Sequence, residues 1–279
     1  MRRLRILTWD SHPRYLRLLE RAPHELVLAR EARALRRERF DLVLFQAARQ
    51  FLDDQYEVLS PAQRRLPQIY LEHEPPREHP VESRHVACTA EVLVVHVNAF
   101  NRLMWDNGAA ASRVIEPGMP DPGARYTGAL PRGVVAREGI ERGGRRLGAD
   151  LLHAAASAVA LERRAVLQGD HRFLFDPARH ASPDPALIEA MMMGMPVVAL
   201  ASGPSAALVR DGVTGFVDAD PARLVTKMRE LLRDAGAARA LGRAARREAL
   251  ERFSIARFVA DWNRAFADAL GMGAERVAA

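Results

Sequence analysis

Residues 184–217 read DPALIEAMMMGMPVVALASGPSAALVRDGVTGFV, and the order of caps, turns and apolar runs in them decides the fold. Asp184 suits a helix N-cap, and Pro185 suits the first helical position, where a missing N–H has no partner to lose. Gly194 ends that helix, and Pro196-Val197-Val198-Ala199-Leu200 is a short apolar run of the kind buried on both faces of a parallel sheet. Ser202-Gly203-Pro204-Ser205 opens a second helix over 206–210, and Asp211-Gly212 turns the chain into a short strand at Gly215-Phe216-Val217. Two helix N-termini then leave the same edge of one sheet, which is where α/β proteins hold anions.

Outward from this stretch, the same alternation runs through the chain. Arg5-Ile6-Leu7-Thr8-Trp9, Glu25-Leu26-Val27-Leu28, Asp41-Leu42-Val43-Leu44-Phe45, Gln68-Ile69-Tyr70-Leu71 and Glu91-Val92-Leu93-Val94-Val95 are short apolar strands. Helical stretches separate them, at 14–21 and in an Arg-rich segment before Asp41, so a parallel sheet with crossover helices is expected. This gives a Rossmann-like domain over 1–122, closed by the Pro- and Gly-rich hinge Glu116-Pro117-Gly118-Met119-Pro120-Asp121-Pro122-Gly123. A second such domain spans 123–253, with strands at Gly133-Val134-Val135-Ala136 and Phe173-Leu174-Phe175 and a helix running to about residue 160. Residues 156–171 leave room for one short helix and not for a βαβ unit of about 30 residues, so this second sheet is expected to be truncated. Met191-Met192-Met193 reads as core packing. Ser254 can cap a last helix with Phe258, Trp262, Phe266 and Leu270 on one face, and residues past Gly271 read as frayed.

Composition narrows the function classes. The chain has 279 residues, 48% hydrophobic and 27% charged, and no apolar run near the roughly 20 residues of a spanning helix. Met1-Arg2-Arg3 leads into an apolar run that stops at Asp10, a first strand and not a signal peptide. Cys88 is the only cysteine, which excludes an intrachain disulfide and fits a cytoplasmic setting. The net charge of +6 comes almost wholly from arginine, with Lys227 the single lysine. Such a surface leaves room for peripheral contact with an anionic membrane at its inner face. No zinc-ligand spacing and no basic-aromatic array is present, which argues against nucleic acid as a partner.

The stretch 184–217 also resembles the donor-binding segment of GT-B glycosyltransferases of the family-4-like retaining group (glycosyl transferases group 1). Glu189-Ala190-Met191, Gly194, Pro196-Val197-Val198-Ala199 and Asp211-Gly212-Val213-Thr214-Gly215 carry the match. The resemblance implies two Rossmann-like domains facing across a cleft, with 254–279 crossing back as a helix and tail onto the first domain. It implies transfer of a sugar from a nucleotide-diphosphate sugar to an acceptor of unknown identity, with retention and without a metal or other cofactor.

The resemblance also assigns residues. Arg137 and Arg142 have the five-residue spacing of the family's arginine and lysine, with Gly143 following, and two cations entering a helix suit a diphosphate. Glu189 matches the second of two family glutamates and would accept the ribose hydroxyls, while Ala181 stands where the first is expected. His180 and Ser182 flank that place and could hydrogen-bond a sugar hydroxyl, and Ser205 lies where amides could assist. His73, followed by Glu74, matches the histidine–acid pair that faces the transferred sugar, and its two carboxylate neighbours should favour the imidazolium. Solvated arginines, a capping carboxylate and a loop pinned by His73 are the structural alternatives. At the level of the whole chain, a degenerate, non-catalytic GT-B-like binding or partner subunit stays open, as does another nucleotide-binding α/β enzyme such as a sugar-nucleotide epimerase. Oligomeric state is not readable from the sequence.

Overall fold

The computed structural model describes residues 2–29 and 35–278. They form two compact units, Met1–Gly118 with Ile255–Ala279, and Met119–Ser254. The first unit runs β1 (Arg5–Thr8), α1 (Pro13–Leu19), β2 (Glu25–Leu28), β3 (Leu42–Phe45), a π-helical turn (Gln50–Asp54) leading into α2 (Gln55–Val58), β4 (Gln68–Glu72), β5 (Val92–His96), α3 (Ala99–Met104) and β6 (Ala111–Val114). The Arg-rich helix expected before Asp41 falls partly on residues 30–34, outside the described residues. The second unit runs β7 (Leu130–Val135), α4 (Gly144–Leu147), α5 (Ala149–Ala156), β8 (Leu161–Arg163), β9 (His171–Asp176), α6 (Pro185–Met193), β10 (Val197–Leu200), a 3-10 turn (Pro204–Ala207), β11 (Gly215–Asp218), α7 (Pro221–Arg233) and α8 (Ala235–Arg252). α9 (Ile255–Ala278) returns to the first unit.

Both sheets are parallel throughout, in the orders β2-β1-β3-β4-β5-β6 and β11-β10-β9-β7-β8. Helices cover both faces of each, which is why the inner strands are unbroken apolar runs such as Leu42-Val43-Leu44-Phe45, buried at every residue. In each sheet the strand order reverses once. The reversal lies between β1 and β3 in the first unit and between β7 and β9 in the second, and ligands of open α/β sheets sit beyond the strand ends at such points.

Local chemistry explains the elements around those points. Asp184 caps α6 by accepting from the Ala186 N–H at 2.9 Å, and Gly194 ends the helix in the left-handed conformation at φ 92°. Leu187, Ile188 and Met191 to Met193 are all buried, so the methionine run is core on more than one side of the helix. α9 lays Phe258, Trp262 and Phe266 on the first sheet's core, and the Trp262 indole N–H donates to the Tyr15 hydroxyl at 3.1 Å. Burying each such ring is worth about 1.5–3 kcal/mol.

Four expectations are corrected. Residues 156–171 hold a strand, β8, because three residues suffice to pair an edge against Gly133–Val135 of β7. The helix after β7 is two helices broken at Gly148, whose φ is 83° and where a Cβ would lie 2.1 Å from the Pro177 carbonyl oxygen. The second helix of the opening stretch is a 3-10 turn over Pro204–Ala207, closed by Ala206 to Gly203 and Leu208 to Ser205, with one i to i+4 bond, Val209 to Ser205, at its end. Past Gly271 the chain does not fray but continues helical to Ala278.

Candidate functional site

At the reversal of the second sheet, Asp176 is the last residue of β9 and Arg137 lies two residues beyond the end of β7. Both side chains are buried. The Arg137 guanidinium grips Asp176 through Nε at 3.0 Å and Nη2 at 3.2 Å, and also donates to the Ser182 carbonyl at 3.3 Å. Ser205 Oγ donates to Asp176 Oδ2, the oxygen Arg137 Nη2 also reaches, at 2.6 Å, and the Ala178 N–H approaches Oδ1 at 3.4 Å. The buried carboxylate is thus balanced by one cation and several donors, as a charge out of water requires. Burial pushes the Asp184 carboxyl up from its ordinary value; Arg137 and the Ala186 N–H pull it down, while Asp176 and Glu138 push it up.

Arg137 and Ser205 therefore meet on one acid that sequence reasoning did not single out, and the Ser182 carbonyl is tied to it only through Arg137. Its signal was available: an Asp directly at the carboxyl end of the buried run Phe173-Leu174-Phe175. His180 lies on the segment between β9 and α6, where its N–H donates to the Arg146 carbonyl at 3.2 Å and its carbonyl accepts from Arg146 Nη1 at 3.1 Å. Ala181 beside it is buried. Glu189 is half-buried on α6, downstream of the cap. Arg142 is exposed in the turn before α4 and makes no hydrogen bond or ion pair with a described residue. Of the two cations at the five-residue spacing, one is committed to Asp176 and one is free to meet an anion.

At the reversal of the first sheet the polar residues form a second network. Gln46, just after β3, donates from Nε2 to Thr8 Oγ1 at 3.1 Å and to the Trp9 carbonyl at 2.9 Å. That orientation turns its Oε1 towards His73 Nε2, which donates to it at 3.3 Å. The His12 ring stacks on His73 with centroids 3.6 Å apart, and Tyr15 meets His73 edge-on at 5.2 Å. Glu72 turns away from His73: its oxygens accept from the Glu74 N–H at 2.9 Å and from His85 Nε2 at 3.2 Å. The expectation of an imidazolium at His73 is corrected accordingly. Burial first, and the adjacent His12 second, hold its pKa well below the ordinary value, so the ring is neutral near pH 7. Gln46 and His12 are the residues the motif match left out, although each is a polar residue following a buried strand.

The family model described as Glycosyl transferases group 1 matches residues 162–234, the segment holding Asp176, Ser205 and Glu189. No curated protein sequence matches the chain. Among solved structures, HepE of Anabaena in complex with UDP-glucose is similar at 16% identity, over 96% of this chain and 99% of that one, with a TM-score of 0.67. A glycosyltransferase from Rickettsia africae is similar at 12% identity, over 97% and 99%, with a TM-score of 0.65. Sucrose-phosphate synthase from Thermosynechococcus elongatus follows at 14% identity, over 82% and 73%, with a TM-score of 0.64. The chain therefore has the two-sheet GT-B fold of these glycosyltransferases and carries, over residues 162–234, the segment of glycosyl transferases group 1.

Proposed function

We propose that the protein transfers a sugar from a nucleotide-diphosphate sugar to an acceptor, with retention and without a metal or other cofactor. The observation that carries this reading is the charged cluster at the reversal of the second sheet, where Asp176 and Ser205 of the matched segment meet Arg137, which precedes it. The exposed Arg142 guanidinium meets the diphosphate and stabilises the charge that builds on it as the sugar leaves. Arg137, pinned by Asp176, holds the segment 176–184 in shape, so that His180 and Ser182 face the sugar. Glu189 accepts the ribose hydroxyls. His73, neutral within its own network, is assigned to a hydroxyl of the transferred sugar.

UDP-glucose as donor and UDP as the product it leaves, both of which HepE holds, are the first ligands to try. In calorimetry, Glu189→Ala should weaken UDP by about tenfold or more, and Arg142→Ala should weaken UDP more than UMP, as loss of a charge-assisted hydrogen bond worth about 1.5–3 kcal/mol requires. Folded protein that ignores every nucleoside diphosphate and its sugars would end this reading. The anomeric configuration of the product, read by proton NMR, tests retention.

A second reading, a non-catalytic binding subunit, is favoured by the buried Ala181 and by the commitment of Arg137 to Asp176. It predicts donor binding with neither transfer nor slow hydrolysis of the donor.

A further inference from the structure

The first unit contains a cavity of about 590 Å³ on the carboxyl side of β4, within the roughly 300–1,000 Å³ of small-molecule sites. Tyr70 and Glu72, two residues apart on β4, lie in its wall with Glu74, Glu78, Glu82 and Trp105. Tyr70 is only 3% exposed, yet its hydroxyl has no hydrogen-bond partner among the described residues. Burial, with Glu72 adding to it, raises its pKa, so the phenol keeps its proton and offers an unused donor. That hydroxyl opens on the cavity, where water or a ligand oxygen can accept from it.

The charge around that donor is unusual for a chain of net charge +6. Glu78 and Glu82 are exposed and make no ion pair among the described residues. Of the arginines at the rim, Arg84 is taken by Asp106 at 3.2 Å and Arg77 alone is uncommitted. The Trp105 indole is held by its N–H, which donates to the Glu74 carbonyl at 2.9 Å, and the ring is half-buried. Carboxylates accept from vicinal hydroxyls, a phenol donates to a ring or hydroxyl oxygen, and an indole packs the C–H face of a pyranose. The same carboxylates repel phosphate and other anions.

We propose that this cavity binds an uncharged sugar unit and that this unit is the acceptor; the second clause rests on the transferase reading above. The test is saturation-transfer NMR and calorimetry on the full chain without nucleotide. The probes are methyl α-glucoside, maltose and cellobiose, set against glucose 6-phosphate and putrescine. A neutral sugar should bind, glucose 6-phosphate at least tenfold more weakly, and Tyr70→Phe should weaken the neutral sugar about three- to tenfold while leaving the thermal midpoint unchanged. Saturation transfer to none of the neutral sugars, a preference for the phosphate or the diamine, or a Tyr70→Phe protein that binds as the parent does would each overturn the proposal. Because no donor is present, sugar binding without any nucleotide-sugar turnover would sink the transferase reading and leave the cavity assignment standing. Donor turnover with an empty cavity would do the reverse.

Discussion

Asp176 is one side chain on which Arg137, Ser205 and the Ala178 amide converge, so removing it should be felt far beyond a single contact. Asp176→Ala removes the bidentate carboxylate partner of the buried Arg137 guanidinium and should cost about 3–5 kcal/mol in urea denaturation of the second unit. Asp176→Asn keeps an acceptor for Ser205 and should cost less; equal losses for the two would mean that the charge is not what matters. The histidines of the first unit carry a pH dependence of one sign. Burial lowers His12, His73 and His96, the last to about 4, while each unfolds to an ordinary value near 6.5. Between about pH 6.5 and 5 the unfolded chain binds protons that the folded chain refuses, so stability falls as pH falls. The slope should approach about 1.4 kcal/mol per pH unit for each ring that stays neutral. Urea midpoints at pH 7, 6 and 5 read it, and a flat or rising series would contradict the assignment. His73 shows why such a state is hidden in sequence. Its neighbours Glu72 and Glu74 suggest a favoured imidazolium, whereas in space Glu72 serves His85, and His12, 61 residues earlier by the numbering, supplies the neighbour that counts.

At the scale of the element, the helix ends are set by glycines in two different ways. Gly194 ends α6 at φ 92° with its nearest neighbour, Tyr126 Cβ, 3.6 Å from where a Cβ would sit. Gly194→Ala should therefore cost only the left-handed backbone, about 1–2 kcal/mol. Gly148 ends α4 at φ 83°, and a Cβ there meets the Pro177 carbonyl at 2.1 Å, where nothing soft can yield. Gly148→Ala should be the more damaging of the two in thermal melts and should also disturb the segment that follows Asp176. Similar midpoints for both variants would show that the loop moves aside without cost. The Gly194 end was legible from a glycine closing an apolar helix before Pro196. The Gly148 break was not, because its cause is a loop nearly thirty residues later in the chain.

At the scale of the molecule, the last helix belongs to the first unit although it follows the second in sequence. Phe258, Trp262 and Phe266 are fully buried there, and losing them strips one face of the first sheet. A chain ending at Ser254 should keep the second unit resistant to limited proteolysis while the first is digested; survival of both would show the helix to be dispensable. Local order was readable directly: apolar runs bounded by Gly, Pro and capping acids determined the parallel strands, the α6 cap and the apolar face of α9, because each depends on residues close in the chain. Residue identity also determined which segment resembles a donor site. Tertiary structure alone decided that Arg137 is tied to Asp176 while Arg142 stays free, that His73 is neutral, and that Tyr70 opens an unpaired hydroxyl on an acidic cavity. Charge state and hydrogen-bond satisfaction depend on burial and on partners brought from distant strands, and neither is written in the spacing of residues along the chain.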